Sequence, residues 1–139
     1  MSFEVAVPRG VDRSRRALVI AVGDIAVIGV IIVAGMLHHY INPITELVHT
    51  IQVAAPFLIA WLVVAPLVGA YSRRSVTEMP MSIRTATVAW VLATLLGSVL
   101  RATPYFPGGA QLSFVGVMVG FGAIGIVAWR TVVGLATRQ

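Results

Sequence analysis

A single acidic residue, Asp24, lies within the first long apolar stretch of the chain, Ala17–Leu37. At a rise of about 1.5 Å per residue, this stretch spans about 30 Å as a helix, which is the hydrocarbon thickness of a bilayer. A charged aspartate near the middle of a bilayer costs about 2.5–3.5 kcal/mol on insertion scales. We therefore expect a transmembrane helix in which Asp24 has a partner that offsets this cost.

Arg130 is the partner that side-chain direction favours. Side chains on a helix lean toward its N-terminus. On a last span that runs inward, Arg130 leans back into the membrane toward the depth of Asp24, whereas Arg84 leans toward the headgroups. The sequence predicts a buried Asp24–Arg130 pair. Two alternatives stay open: a protonated Asp24 that donates to a backbone carbonyl, and a proton relay through Asp24.

Small residues recur at four-residue spacing on two later apolar stretches. Such spacing lets helix backbones approach closely in lipid, either within one bundle or between copies of a protein. The predicted helix-packing residues are Ala89, Ala93, Gly97, Gly116 and Gly120.

A polar stripe runs beside the small residues of the first of these two stretches. It consists of Thr87, Thr94, Ser98 and Arg101. The hydroxyl groups either bond carbonyls of their own helix or line a polar cavity, and the sequence favours neither alternative.

The three histidines of the chain all follow the first apolar stretch, at positions 38, 39 and 49. Glu46 and His49 are three residues apart and share a face on a predicted helix. Together with His39, they form a weak candidate site for a divalent metal ion.

Composition excludes several classes of protein. The 139 residues are 58% hydrophobic and 11% charged, against about 25% charged in an average soluble domain. There is no cysteine, so disulfides and thiolate sites are excluded. The sequence has no nucleotide-binding or hydrolase motif, and its basic residues are scattered at helix ends. We expect no enzyme activity, no cofactor and no binding of nucleic acid.

The apolar periodicity predicts an all-α, polytopic membrane protein. Its four transmembrane helices are expected at about 17–37, 55–71, 80–102 and 112–132. Asn42-Pro43 is a helix-start signal, and Pro56 cannot continue a regular helix, so a short external interfacial helix is expected at about 43–53. Residues 72–79 are expected to form a polar loop. The domain organisation is then a cytoplasmic arm at 1–16, one transmembrane domain at 17–132 and a cytoplasmic tail at 133–139.

The arginines predict the orientation. Nine of them fall inside when the N-terminus is cytoplasmic, and only Arg101 falls outside, as the positive-inside rule requires. The nine are Arg9, Arg13, Arg15, Arg16, Arg73, Arg74, Arg84, Arg130 and Arg138. We expect a multi-pass protein with both termini in the cytoplasm.

Several short motifs, taken in order, resemble a family of small four-span prokaryotic membrane proteins of unknown function, known from haloarchaea and actinobacteria. They are Gly23-Asp24, Gly35 with His38-His39, Pro56-Phe57 with Trp61, Gly97 through Arg101, Ser113-Phe114 and Trp129-Arg130. Met36-Leu37 departs from the more polar pair that the family places after Gly35. The resemblance implies the four-span fold and a prokaryotic plasma membrane, and it implies no activity.

Two classes of function are compatible with this sequence. The first is an accessory or interaction subunit that packs in the bilayer with itself or with a larger membrane complex. The second is a small oligomeric transporter or channel with a polar path. The residues of that path would be Asp24, Thr94, Ser98, Arg101 and Arg130.

Overall fold

The structure is a computed structural model that describes residues 11–106 and 112–137. Within these ranges the regular secondary structure is helical throughout. The helices are α1 (Arg15–His38), α2 (Leu47–Val68), α3 (Arg73–Thr77), α4 (Met79–Arg101) and α5 (Leu112–Ala136). Helices α1, α2, α4 and α5 are long and apolar enough to cross a membrane, which confirms the predicted four-span architecture.

The second span differs from its prediction. No separate interfacial helix occupies 43–53: Asn42 Oδ1 accepts the N–H groups of Ile44 and Thr45, at 2.8 and 3.2 Å, and closes a turn instead. Helix α2 then begins at Leu47 and continues through Pro56. A proline inside a membrane helix is tolerated because neighbouring groups satisfy the freed carbonyl and the helix adjusts locally.

The expected polar loop at 72–79 contains the short helix α3. Ser72 is its N-cap, and its side chain accepts the N–H of Ser75. Ser75 also bonds Thr85 of α4, at 2.9 Å between the hydroxyl oxygens. A polar sequence therefore packs here as part of the bundle because its hydroxyl groups bond one another. Helix α5 continues to Ala136, beyond its predicted end.

The four long helices pack in a ring. Helix α4 packs against α2 and α5, and α1 packs against the same two helices from the opposite side. Successive spans are antiparallel, so the start of α1, the end of α2, the start of α4 and the end of α5 meet at one end of the bundle. That end carries the polar interior described below.

Aromatic side chains fill the centre of the bundle. Phe57, Trp61 and Trp90 have no exposed surface. Trp90 Nε1 donates to the carbonyl of Met118 at 3.0 Å, which ties α4 to α5. A Cβ atom at Gly122 would collide with the Trp90 ring, so this glycine is what allows the indole to reach the α5 backbone.

Candidate functional site

Asp24 and Arg130 lie in direct contact in the interior. Arg130 Nη2 donates to Asp24 Oδ2 at 2.7 Å and Nε donates to Oδ1 at 3.1 Å, while both side chains are 0% exposed. Asp24 shares the buried face of α1 with Ile20 and Ile28, one turn away on either side. The two parallel bonds form a forked pair, a geometry that the planar guanidinium matches and an ammonium group does not.

The rest of the Arg130 guanidinium is also bonded. Its Nη1 atom donates to the carbonyl of Ala70 at 3.2 Å and to Ser82 Oγ at 3.0 Å. Four N–H···O contacts therefore connect α5 to α1, to the turn after α2 and to the first turn of α4. The pairing and the additional hydrogen bonds offset the desolvation cost that a lone buried charge would carry.

Tyr71 adds a third bond to the carboxylate. Its hydroxyl donates to Asp24 Oδ2 at 2.6 Å and accepts from Trp61 Nε1 at 2.8 Å. Both oxygens of Asp24 thus act as acceptors, as those of an ionised carboxylate do. We call Asp24, Arg130, Tyr71, Ser82 and Trp61, with the carbonyl of Ala70, the Asp24 network.

Neighbours of the charged pair hold its two helices close together. Trp129 Nε1 donates to the carbonyl of Ile20 at 3.1 Å. A Cβ atom at Gly23 would collide with the Trp129 ring. The residues beside Asp24 and Arg130 in the sequence therefore set the spacing of α1 and α5 that the ion pair needs.

Sequence reasoning did not find Tyr71, Ser82 or Trp61 as members of the network. Tyr71 is separated from Asp24 by 47 positions, and Ser82 is separated from Arg130 by 48. No periodicity connects residues so far apart on different elements. For Tyr71 and Ser82, the available signal was their place at the ends of spans that meet at the same end of the bundle, whereas Trp61 lies in the middle of α2.

The polar stripe of α4 divides into three environments. Thr87 donates to the carbonyl of Ile83 in its own helix at 2.7 Å. Thr94 and Ser98 are buried, and their hydroxyl groups have no hydrogen-bond partner in the described part of the protein. The guanidinium of Arg101 lies over the Phe114 ring, 4.1 Å from its centroid. The structure therefore does not join these residues to the Asp24 network.

The small residues also separate into two groups. Ala89, Ala93 and Gly97 are buried, and a Cβ atom at Gly97 would lie 2.7 Å from the Phe57 ring of α2. Gly116 and Gly120 lie on the outer face of α5, where an added Cβ would meet no described atom within 4 Å. Of the two alternatives for these small residues, packing inside the bundle does not apply to Gly116 and Gly120, and packing between copies stays a prediction.

The reason is the rotation of α5. Its buried residues include Met118, Gly122, Ile126 and Arg130, which recur every four positions. That face turns Gly116 and Gly120 outward, and Gly122 meets Trp90 instead.

The predicted metal site does not form. The described residues contain no group of three or more His, Asp or Glu side chains that is able to hold a metal ion, and this covers His39, Glu46 and His49. His39 follows the end of α1, whereas Glu46 precedes α2 rather than lying on a helix with His49. The helical face that the prediction required is therefore absent at Glu46.

Comparison with known proteins places the chain in a family. No curated protein and no solved structure matches it. Residues 21–133, however, match the family described as "Protein of unknown function (DUF3054)". The matched range includes both Asp24 and Arg130 and extends from the first span to the last. The chain therefore belongs to the DUF3054 family, as its resemblance to a four-span family of unknown function implies.

Proposed function

We propose that the protein is an accessory or interaction protein of a prokaryotic plasma membrane, with both termini cytoplasmic and no catalytic activity. Its partners are the bilayer and a second copy of the same chain, with no cofactor and no nucleic acid. The observation that carries this proposal is the open groove on the outer face of α5. This groove has a volume of about 440 Å³. It is lined by Ser113, Gly116, Val117, Gly120, Phe121 and Ile124.

The groove has the shape that a paired helix needs. Gly116 and Gly120 form its floor, and Val117 and Phe121, 55% and 63% exposed, form a ridge along one side. Because the glycine and ridge positions repeat together every four residues, the same face of a second copy can place its ridge in this floor. Ser113 is exposed at the groove and offers a hydroxyl group for a bond between helices.

The rest of the molecule favours this face over the others. Helix α5 has the smallest buried share of the four spans. The polar groups of the Asp24 network, by contrast, bond one another within one copy. A second copy therefore adds contacts on α5 without disturbing the interior.

The experiment measures association between labelled copies by energy transfer in liposomes. Gly116→Leu and Gly120→Leu should each weaken association at least tenfold, because a branched side chain fills the floor of the groove. Gly29→Leu is the matched control: it lies on α1, and an added Cβ there also meets no described atom within 4 Å. Wild-type protein that remains monomeric, or glycine variants that associate as the wild type does, would refute the proposal.

A small oligomeric transporter is the second candidate, and the enclosed hydroxyl groups of Thr94 and Ser98 favour it. Burying a hydroxyl group in an apolar interior without a hydrogen-bond partner is costly, and this cost falls when a polar ligand binds there. Thr94→Val and Ser98→Ala should then abolish a proton or cation flux that wild-type proteoliposomes show with a pH-sensitive or ion-sensitive dye. Proteoliposomes without any flux would remove this candidate.

A further inference from the structure

A second groove lies at the end of the bundle that carries the Asp24 network. It has a volume of about 400 Å³ and lies between the residues that lead into α1, the first turns of α1 and Tyr71. It is separate from the outer face of α5, which begins near the opposite end of the molecule.

Two different chemistries line this groove. At one side, the exposed side chains of Arg13 and Arg15 supply two positive charges. At the other side, Leu18, 64% exposed, and Ala21 continue along the apolar surface of α1. The groove therefore changes from basic to apolar along the axis of α1, from the residues before the helix to its second turn.

The charge balance of the lining is positive. Asp12 is the one acidic residue among the lining residues, against the two arginines, which leaves a net charge of +1. The carboxylate of Asp12 already accepts a hydrogen bond from Ser14 Oγ at 2.8 Å. The N-terminus of α1 adds a positive partial charge beside the two arginines.

We propose that this groove binds one anionic phospholipid. Arg13 and Arg15 hold the phosphate, and an acyl chain lies along Leu18 and Ala21. A free phosphate ion would use only the basic half of the groove, whereas a lipid uses both halves. The apolar half continues along a surface that the bilayer already covers, so an acyl chain reaches it without leaving the membrane.

Tyr71 connects this lipid site to the interior. It lines the groove, its hydroxyl donates to Asp24, and its carbonyl accepts the N–H of Asp12 at 2.7 Å. A lipid in the groove therefore packs on the residue that holds both the segment before α1 and the Asp24 network. Since a ligand that binds only the folded state stabilises it, the bound lipid should raise the melting temperature.

The test titrates full-length protein in neutral detergent with phosphatidylglycerol, with phosphatidylcholine or with inorganic phosphate, and follows thermal unfolding. Phosphatidylglycerol should raise the melting temperature in a saturable way, and the other two should not. The double variant Arg13→Gln/Arg15→Gln should need about twenty-five-fold more phosphatidylglycerol for the half-maximal shift, since each arginine near a charged surface contributes roughly fivefold.

The matched control is Arg73→Gln/Arg74→Gln, an exposed basic pair outside the groove lining, and it should keep the wild-type titration. Leu18→Gln tests the apolar half independently of charge and should also weaken the shift by phosphatidylglycerol. Equal losses in the two arginine pairs, an equal shift with inorganic phosphate, or no shift with phosphatidylglycerol would each overturn the lipid site.

Discussion

The ion pair of Asp24 and Arg130 makes each partner costly to remove alone. Asp24→Leu leaves Arg130 as a lone buried charge, and Arg130→Leu does the same for the carboxylate. Each variant should lower the free energy of unfolding by about 3–5 kcal/mol, whereas the double variant should recover much of the loss. Unfolding in mixed micelles titrated with SDS measures all four proteins of the cycle.

The double-mutant cycle also distinguishes the pair from a neutral, independent Asp24. A neutral carboxyl group without a charged partner predicts an almost silent Asp24→Asn and additive effects of the two leucine substitutions. A coupling energy below about 0.5 kcal/mol would therefore be incompatible with the forked contact.

Tyr71 contributes through two hydrogen bonds of its hydroxyl group. Tyr71→Phe removes the donor to Asp24 and leaves the indole N–H of Trp61 without its acceptor. Because an unsatisfied buried donor costs about 1–3 kcal/mol, the variant should be destabilised by at least that amount. Tyr105→Phe makes the same chemical change at a side chain that is 86% exposed and should leave the unfolding free energy within about 0.5 kcal/mol of wild type. Equal effects at the two positions would contradict the role assigned to Tyr71.

At the level of helices, the sequence predicts existence and length better than rotation. Apolar runs placed α1, α4 and α5 within a few residues of their bounds because bilayer thickness fixes the length of a span. The four-residue spacing of Gly116 and Gly120 predicts helix packing but does not decide between the interior and the outer surface, because the spacing of small residues is the same on either face of a helix. The partner of a glycine depends on which large side chain reaches it, as Trp90 reaches Gly122, and a local pattern does not contain that information.

Two glycines have steric roles that a third lacks. Gly23→Ala and Gly122→Ala place a methyl group against the rings of Trp129 and Trp90, so each should cost about 1–3 kcal/mol of stability by overpacking. Gly29→Ala meets no described atom within 4 Å and should be neutral, or stabilising by up to about 1 kcal/mol, because alanine has the higher helix propensity. Melting temperatures of the three variants in one detergent give the comparison. An equal loss at Gly29 would mean that the tryptophan contacts do not determine the effect, because helix propensity alone favours alanine at all three positions.

Across the whole molecule, the partners in a buried network are predictable only where side-chain direction and charge leave few candidate residues. The lean of side chains along antiparallel spans was enough to choose Arg130 for Asp24, because few charges lie at that depth. The neutral members, Tyr71 and Ser82, are not predictable from the sequence because many hydroxyl groups lie at the ends of spans. Their selection depends on the ring of helices, which brings the turn after α2 and the start of α4 to the same end as the pair.

The distribution of arginines predicts a single orientation for the whole protein, and the absence of cysteine makes it easy to measure. Thr45, in the turn before α2, and Thr77, at the end of α3, are both exposed and lie at opposite ends of the bundle. In intact cells, a membrane-impermeant maleimide should label Thr45→Cys and should leave Thr77→Cys unlabelled until the membrane is permeabilised. Threonine and cysteine are similar in size, so neither variant should disturb the fold. Stable labelling of both variants in intact cells would mean that the chain inserts in two orientations, and the strong bias of its arginines would then not determine its topology.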